Sequence, residues 1–502
     1  MPPTMAFKNG EKHEWELPRF RESHQIPDGG DLWSVKFYPY TKPGIDPIFA
    51  VVGGQHILVY RMPIGKKGLE VIQSIVDLET DTDHFACAWT KDLKTNEPLL
   101  CVAGTNAKIL IIEILSGKLI QTLPGHGGPI NDLAISPINP KILASASDDQ
   151  TVRIWTLDPD YKNQPCAAIL EGDGHRDTIQ SVAWHATGRY LLSGGIDRQI
   201  ILWVVPKFPD ENTGRDKPTR IFYPHFSTTQ VHMYIVDCVA FHDDLIISKA
   251  DREGSIVLWS ITNFSSRNPP PPPLTAPTVR DLDNDTRSAF STGLSPTEMY
   301  TRLLQFSIPE TDVMFMRFGF FKGHGIPGSP ATAMYENFGG GKGGPVLAMC
   351  NMNSRMSFWD FSRLEEHAKY MDTVKDNPDT KRPAFLVPFK SRNRGGKSSN
   401  PMGRLASESR VSPSASSERS STFAESVEKG AKAAADVEKS KDIWAKKYAM
   451  GNAQVNLLPH KEEMVKGLSF LGRQVAWSVG GEWCVVVGSL GVIGIFERWS
   501  EK

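Results

Sequence analysis

Two stretches of the chain repeat one pattern of apolar and polar positions. Residues 125–155 and 174–203 each run from Gly-His through an alternating apolar strand, a turn, a second strand and a third strand that ends in tryptophan. The interval from histidine to tryptophan is 29 residues in one copy and 28 in the other. Both copies carry the same four side chains at matching positions: His126, Ser145, Asp149 and Trp155, and His175, Ser193, Asp197 and Trp203.

This spacing resembles the WD-repeat family, in which one unit forms a four-stranded propeller blade that starts at Gly-His and ends at Trp-Asp. Trp359-Asp360 is the one literal Trp-Asp pair in the sequence, so the assignment rests on spacing. Five weaker copies have first-strand anchors at Phe37, Trp89, Phe241, Phe318 and Trp477. Seven copies predict an all-β fold, a seven-bladed WD-repeat β-propeller.

Two segments do not follow the blade pattern and are expected to be disordered insertions, one between blades 5 and 6 and one between blades 6 and 7. The first contains five consecutive prolines, which cannot enter a central strand. The second is rich in serine and lysine and carries few aromatic residues, so it buries too little apolar surface to offset its ordering entropy. The predicted boundaries are an N-terminal tail 1–25, blades 1–5 at 26–261, a Pro-rich insertion 262–312, blade 6 at 313–361, a Ser/Lys-rich insertion 362–464 and blade 7 at 465–502.

Composition narrows the cellular setting. Lys and Arg number 56 against 57 Asp and Glu, so no global field draws the chain to nucleic acid or to an anionic membrane. Six cysteines without a C-x-x-C pair fit neither a disulfide framework nor a zinc site, and indicate a reducing compartment. No run of 18 apolar residues occurs, and we expect no membrane span, metal or cofactor.

The histidine, serine and aspartate of each strong repeat are the residue types of a hydrolase triad. Catalysis needs one copy beside an oxyanion site, whereas this set occurs twice and always with a tryptophan. We therefore interpret it as a buried hydrogen-bond network within the blade and predict that the chain is not an enzyme. The glycine-rich run at 339–344 lacks the order of a phosphate-binding loop.

A basic stretch without acidic residues lies within the second insertion, at 381–404. Its seven basic residues are Lys381, Arg382, Lys390, Arg392, Arg394, Lys397 and Arg404. Such a stretch serves as a nuclear-import signal, as a weak DNA contact through phosphates, or simply as a solvated tail, and the sequence leaves these alternatives open.

The positions four residues before each first-strand anchor should lie together at one rim of the ring. In blade order they are Trp33, Phe85, Asn131, Gln180, Asp237, Met314 and Arg473. Blades 6, 7, 1 and 2 are neighbours in a closed ring, so Met314 and the adjacent Phe315 should meet Trp33 and Phe85. An aromatic cluster of this kind either holds a quaternary ammonium through cation–π contacts or packs against apolar groups.

Several segments resemble the Polycomb EED family, also called extra sex combs or embryonic ectoderm development. The resemblance rests on the segments FACAWTKD, PLLCVAGTNAKI and EGDGHRDTIQSVAW, and above all on the stretch from Pro224 to Cys238. The resemblance implies a non-catalytic core scaffold subunit of Polycomb repressive complex 2 that supports transcriptional repression in the nucleus. It further implies an aromatic cage that binds trimethyl-lysine on a histone tail and stimulates the methyltransferase subunit.

Family positions carried over by motif place the cage on Trp33, Phe85, Met314 and Phe315, and the peptide-flanking positions on Asn131, Asp237, Arg317 and Arg473. Met314 stands where the family usually has tryptophan, and a thioether lacks a π-face. The implied partners are an Enhancer-of-zeste-type methyltransferase, a suppressor-of-zeste-type subunit, the methylated histone tail and the nucleosome. The alternative is a generic WD-repeat adaptor, such as a ubiquitin-ligase substrate receptor, that binds an unmodified peptide.

Overall fold

Alternating apolar strands separated by short turns build a ring of sheets. The computed structural model describes residues 16–498 except 28, 43, 65, 80, 279–285, 292, 324–343, 378, 387–442 and 468. In it seven sheets of four or five strands, mainly antiparallel, form the seven blades of the predicted β-propeller. The prediction of fold class is confirmed.

The strands of each blade are given from the channel outward. Blade 1 contains Ser34–Phe37, Ile48–Gly53, His56–Arg61 and Glu70–Val76, and blade 2 contains His84–Lys91, Pro98–Gly104, Lys108–Glu113 and Lys118–Pro124. Blade 3 contains Ile130–Ile135, Ile142–Ser147, Val152–Thr156, Cys166–Leu170 and Thr219–Ile221. Blade 4 contains Ile179–Trp184, Tyr190–Gly195, Ile200–Val204, Phe226–Thr228 and Thr286–Ser288.

The remaining three blades follow the same order. Blade 5 contains Val236–His242, Leu245–Ala250, Ser255–Ile261, Tyr300–Ser307 and Asn456–Leu457. Blade 6 contains Gly319–Phe321, Val346–Cys350, Arg355–Asp360 and Lys461–Met464, and blade 7 contains Gly472–Trp477, Trp483–Gly488, Val492–Glu497 and Arg19–Gln25. Helix α1 spans Phe361–Asp376, and short 3-10 turns occupy Pro159–Tyr161, Pro273–Thr275, Pro296–Glu298, Ala384–Leu386 and Ser489–Gly491.

The ring closes with a strand from the opposite end of the chain. Strand Arg19–Gln25 pairs antiparallel with Val492–Glu497, the third strand of blade 7, from Arg19 against Glu497 to Gln25 against Val492. Residues 19–25 therefore belong to blade 7, and the predicted N-terminal tail 1–25 was drawn too long. The pairing covers an edge that would otherwise expose its backbone N–H and C=O groups.

Both predicted insertions contribute ordered strands to blades. The first contains Tyr300–Ser307, the fourth strand of blade 5, and the second contains Lys461–Met464, the fourth strand of blade 6. The expectation of disorder is wrong for these residues. The five prolines 269–273 stay out of every sheet, as expected. Residues 387–442, the bulk of the second insertion, lie outside the described residues.

Helix α1 is part of the second insertion and docks on blade 6. It begins after Asp360, whose carboxylate accepts a hydrogen bond from Ser362 N at 3.0 Å and so satisfies one free N–H of the first turn. Its buried face carries Phe361, Leu364 and His367. These side chains pack in a cluster with Tyr448 from the returning chain. The insertion is thus anchored at both ends.

Indole side chains join neighbouring blades at the end of the channel opposite the rim positions. Trp89 Nε1 donates to Lys36 O at 2.8 Å, Trp184 Nε1 to Ala134 O at 3.0 Å and Trp477 Nε1 to Gly319 O at 3.2 Å. These bonds link blades 1 and 2, 3 and 4, and 6 and 7. The three indoles also line a cavity of about 430 Å³ at that end.

Polar side chains complete the links along the channel wall. Asp132 of blade 3 accepts Val182 N at 3.0 Å, and Gln474 of blade 7 accepts Val35 N at 2.9 Å. Each bond satisfies a backbone N–H that has no neighbour within its own sheet on the channel side. The innermost strands are therefore fixed relative to one another around the ring, which holds the rim positions in a defined arrangement.

Candidate binding site

Three aromatic rings from blades 1, 2 and 6 meet at one rim of the channel. The ring centroids of Trp33 and Phe85 are 5.7 Å apart, those of Trp33 and Phe315 5.6 Å, and those of Phe85 and Phe315 6.0 Å. All three side chains are half-buried, as is Met314. We call these four residues the aromatic cluster. Sequence positions nearly 300 apart are brought together because the ring places blade 6 close to blades 1 and 2.

Two glycines allow neighbouring backbone segments to approach each other closely at this rim. Gly53 and Gly104 end the second strands of blades 1 and 2, and a Cβ atom built on them would clash with the carbonyl oxygens of Asp31 and Asp83, respectively. The chain segments that lead into Trp33 and Phe85 therefore lie directly against these glycines. A larger residue at either position would push the segment, and the ring it carries, away from the cluster.

The indole of Trp33 is held by a carboxylate of the next blade. Its Nε1 donates to Asp83 Oδ2 at 3.1 Å, and Gly54 N donates to Asp83 Oδ1 at 2.7 Å. Burial raises the pKa of the Asp83 carboxyl, and these two hydrogen bonds partly oppose that shift. Because the indole N–H already has a partner, Trp33 presents only its ring to a ligand.

Phe315 is held in an unusual backbone conformation. Its φ of 59° lies in the left-handed region, which residues with a Cβ atom seldom adopt. The following N–H, of Met316, donates to Asp237 Oδ2 at 3.3 Å. Asp237 in turn accepts from Lys249 Nζ at 3.0 and 3.1 Å, and both side chains of this ion pair are fully buried. The buried pair therefore supports the turn that places Phe315.

Three of the four predicted flanking residues are buried. Asn131, Asp237 and Arg317 are 2%, 0% and 4% exposed, and their hydrogen-bond partners lie within the propeller. Arg317 crosses the channel and donates to Asp132 Oδ1 at 3.1 Å, Asn131 O at 2.8 Å and Gln180 O at 2.7 Å. It braces blade 6 against blades 3 and 4. Arg473, the fourth, is half-buried beside Trp33.

The triad-like residues form hydrogen-bonded chains inside their blades. In blade 3, Trp155 Nε1 donates to Ser145 Oγ at 2.8 Å, Ser145 Oγ donates to His126 Nε2 at 2.6 Å, and His126 Nδ1 donates to Asp149 at 2.8 Å. Burial lowers the pKa of His126, so its imidazole is neutral. Burial alone raises the pKa of Asp149, but His126 and the hydrogen bonds from Gly127 N and the Thr151 hydroxyl together outweigh it and the pKa falls.

Blade 4 repeats the arrangement with its own four residues. His175 joins Ser193 at 2.8 Å and Asp197 at 3.0 Å, and Trp203 Nε1 donates to Ser193 Oγ at 2.9 Å. The same order of donors and acceptors in two blades supports a structural role, in which the network holds the strands of each blade together.

A third copy, in blade 5, escaped the sequence reasoning. His232 joins Ser248 at 2.7 Å and Glu253 at 2.6 Å, and Trp259 Nε1 donates to Ser248 at 2.9 Å. Glutamate replaces aspartate in this copy, and it stands five positions after the serine, whereas the aspartates of blades 3 and 4 stand four positions after theirs. A search that allowed either acid would have found it.

Asp31 and Asp83 were also missed as residues of the site. Each stands two positions before a ring of the cluster, in Asp-Leu-Trp and Asp-His-Phe. That shared spacing was the available signal. Among the described residues no group of three or more His, Cys, Asp or Glu side chains could hold a metal ion. All six cysteines are buried and free, and burial raises the pKa of the Cys87 thiol to about 11.

Comparison with known proteins gives a consistent result. The model of the WD domain, G-beta repeat, matches residues 117–156 and 165–204. The chain is 36% identical over 569 aligned residues to Polycomb protein EED of Chaetomium thermophilum, covering 97% of each chain. It is 28% identical over 371 residues to Polycomb protein esc of Drosophila melanogaster, covering 71% of this chain and 75% of that one.

Solved structures agree. An active Polycomb repressive complex 2 in the basal state contains a chain that is 37% identical, with a TM-score of 0.79 and coverage of 97% of this chain and 99% of that one. The same values apply to ctPRC2 in complex with H3K27me3 and H3K27M. No helix among the described residues is long and apolar enough to cross a membrane. By its sequence over nearly the whole length, and by its seven blades, the chain belongs to the EED family of Polycomb proteins.

Proposed function

We propose that this chain is the scaffold subunit of a Polycomb repressive complex 2 and that its aromatic cluster binds trimethyl-lysine of a histone tail. The observation that carries the proposal is the meeting of Trp33, Phe85 and Phe315 at one rim, with centroids 5.6 to 6.0 Å apart. Aromatic faces attract a quaternary ammonium through their negative quadrupole, and each contact contributes roughly 0.5 to 2 kcal/mol.

The relatives support both parts of the proposal. Several similar chains belong to solved Polycomb repressive complex 2 structures, and one of these complexes includes H3K27me3, a histone H3 trimethylated on lysine. This chain spans 99% of the matched chain in that complex. Within its own complex it serves as the non-catalytic propeller, and methyl transfer belongs to a separate chain.

The cluster geometry limits where the ammonium sits. The three rings are at the separations of packed aromatic pairs, so no gap of trimethylammonium size lies between their centroids. A cation within about 6 Å of all three centroids lies over their open side, unless the rings separate on binding. Met314, half-buried and directly before Phe315, offers a thioether that would pack against the methyl groups but adds no π-face.

The propeller then relays occupancy to its partner. Hydrogen bonds link the blades along the channel wall. A bound tail and a partner on another surface therefore bind to one rigid body and are held in a fixed relation to each other. A tail that contacts both propeller and methyltransferase biases the enzyme toward its active conformation to the extent that it binds that conformation more tightly. Stimulation thus needs the cluster, while basal activity needs only the scaffold.

The proposed partners are an Enhancer-of-zeste-type methyltransferase subunit, a suppressor-of-zeste-type subunit and the nucleosome, in the nucleus. The basic stretch 381–404 would assist either nuclear import or DNA contact. Of its seven basic residues, Lys381 and Arg382 are described and exposed, and the other five lie outside the described residues. The guanidinium carbon of Arg382 lies 5.1 Å from the ring centroid of Trp444, so the start of this stretch contacts the part of the second insertion that returns to the propeller.

Titration calorimetry with trimethylated and unmodified histone-tail peptides tests the proposal. Wild-type protein should prefer the trimethylated peptide, and Phe85→Ala or Phe315→Ala should weaken its binding about 5- to 30-fold. Phe222→Ala removes an exposed aromatic ring that lies outside the cluster and should leave the affinity unchanged. Equal affinity of the wild type for the two peptides would favour the generic adaptor that binds unmodified peptides.

A further inference from the structure

The side chain of Arg473 joins the chain segments of two blades that carry the aromatic cluster. Arg473 lies in the innermost strand of blade 7, between blades 6 and 1. Its Nη1 donates to the carbonyl oxygen of Met314 at 3.0 Å, and its Nη2 donates to Asp31 Oδ2 at 2.9 Å. The guanidinium carbon lies 4.2 Å from the ring centroid of Trp33. The guanidinium of Arg473 thus contacts Met314, Asp31 and the ring of Trp33 at the same time.

Each contact is placed where it controls a ring. Met314 directly precedes Phe315, and Asp31 stands two residues before Trp33. The backbone carbonyl of Arg473 also accepts Arg317 N at 2.7 Å, which holds blade 6 beside blade 7. The guanidinium, the Met314 carbonyl and the Asp31 carboxylate therefore form one unit, which we call the guanidinium clip.

The clip also sets the electrostatics of Trp33. A cation already stacks on one face of the indole, so a ligand ammonium reaches the indole from another side. Asp31 offsets the charge of the guanidinium: the two side chains are 33% and 12% exposed, so solvent screens their pairing only in part. Without that carboxylate, an unpaired positive charge would stand beside a site for cations.

We propose that Arg473 is a positioning residue of the methyl-lysine site, holding Trp33 and Phe315 in the arrangement that receives the ammonium, and that Asp31 neutralises it for that purpose. This inference rests on the function proposed above. Arginine is required because only its planar fork donates in two directions while it stacks on a ring. Lysine keeps the charge but cannot make the three contacts together.

Peptide binding by Arg473→Lys tests the clip. We expect the affinity for the trimethyl-lysine peptide to fall about tenfold, with the preference over unmodified peptide reduced. Arg21 offers a matched control, because it stacks 4.7 Å from the Trp483 centroid and pairs with Glu497 at 3.1 Å in the outer part of blade 7. Arg21→Lys makes the same chemical change away from the cluster and should leave peptide affinity unchanged.

A second measurement reads the cluster without ligand. The methyl carbon of Met314, in methyl-labelled protein, senses the ring currents around it, and its resonance is identified among the 15 methionines by Met314→Leu. It should move in Arg473→Lys and stay in place in Arg21→Lys. Asp31→Asn should weaken binding most at low salt, because it leaves the guanidinium charge unpaired.

The outcomes separate the two proposals. Wild-type protein that does not distinguish the two peptides overturns the methyl-lysine site and the clip with it. Wild-type protein that prefers the trimethylated peptide, together with wild-type affinity and an unmoved Met314 resonance in Arg473→Lys, overturns the clip alone. Equal losses of affinity in Arg473→Lys and Arg21→Lys would show a general loss of stability and would also overturn it.

Discussion

The indole N–H of Trp33 donates to the carboxylate of Asp83, fifty residues further along the chain, at 3.1 Å. Asp83 stands two residues before Phe85, so the group that orients one ring of the aromatic cluster lies on the segment that carries the next. Blades 1 and 2 are coupled at the site by this bond. Rings held by their neighbours lose less entropy when a ligand arrives, and such preorganisation raises affinity.

Removal of the Asp83 carboxylate should therefore weaken ligand binding although it touches no ligand. We expect Asp83→Ala to reduce the affinity for a trimethyl-lysine peptide about three- to tenfold, because Trp33 gains rotational freedom. Asp81→Ala changes an exposed carboxylate of the same loop and serves as the control. Calorimetric titrations of both variants check the prediction, and equal affinities would show that Trp33 is held by other contacts.

Truncation of the first strand should open the ring. Removal of residues 1–25 leaves Val492–Glu497 without its partner strand Arg19–Gln25, and we expect the melting temperature to fall by about 10 °C or more. Removal of residues 1–15 alone keeps the strand and should leave the melting temperature nearly unchanged. Thermal denaturation of the two truncated proteins compares them. Similar melting temperatures would mean that blade 7 is stable with three strands.

The blades were predictable because their signals are local. The apolar alternation of Ile130–Ile135 and the fixed offset from His126 to Trp155 depend on one strand and its turns. The outer strands were not predictable, since Lys461–Met464 reads Lys-Glu-Glu-Met and has no apolar face to reveal it. Its pairing with Arg355–Asp360 is set by tertiary contacts across a long insertion.

The candidate site also has features that could be predicted from the sequence and features that could not. The offset from the first-strand anchors predicted Trp33, Phe85 and Met314, with its neighbour Phe315, at one rim, because the chain enters the innermost strand of each blade from that rim. The depth of Asp237 and Arg317 was not predictable, since charged residues are usually exposed unless paired. Their partners, Lys249 and Asp132, are identified only by the fold.

Loss of one acid in the blade networks should destabilise the fold without abolishing any chemical turnover. In Asp197→Asn the amide cannot both accept from His175 and bond Arg176 N as the carboxylate does, and we expect a loss of about 1 to 3 kcal/mol in the free energy of unfolding. Glu253→Gln in blade 5 should behave similarly, because Glu253 accepts from His232 and Met233 N. Urea denaturation measures both losses. Hydrolase activity in the wild type that either substitution removed, with stability intact, would contradict the structural role.

Acid should destabilise the propeller from about pH 6.5 downward. Burial lowers the pKa of His126 and lowers that of His460 further, and His460 is held neutral because Nδ1 accepts Asp360 N while Nε2 donates to Lys447 O, each at 2.9 Å. Below pH 6.5 the unfolded chain binds protons that these folded imidazoles do not, so the free energy of unfolding falls by up to about 1.4 kcal/mol per pH unit for each.

Melting temperatures between pH 8 and pH 5 measure this decline, and His460→Gln should be less stable at pH 8 but should decline less steeply. The carboxylates of Asp149 and Asp197, whose pKa values are lowered in the fold, add their own loss only below about pH 4, where the unfolded chain takes up their protons. A melting temperature that does not change from pH 8 to pH 5 would contradict the assignment of neutral, buried histidines.

Met314 is the position where a gain of binding is expected. Its side chain, next to Phe315 in sequence, has no π-face, and its carbonyl oxygen, which accepts a hydrogen bond from Arg473 at 3.0 Å, is independent of the side chain. Met314→Trp adds an aromatic face while the backbone contact remains, so the affinity for a trimethyl-lysine peptide should rise by up to about tenfold. Met314→Leu keeps an apolar side chain of similar volume without adding a ring, and it should bind like the wild type. The half-buried position leaves part of the side chain in solvent, which gives an indole room to extend.

Calorimetric titration of the wild type, Met314→Trp and Met314→Leu with trimethylated and unmodified peptides tests this prediction, because a gain confined to the trimethylated peptide shows a cation–π contact. Equal gains for both peptides would show that the indole only adds apolar surface, and a loss in Met314→Trp would show that the cluster has no space for a fourth ring.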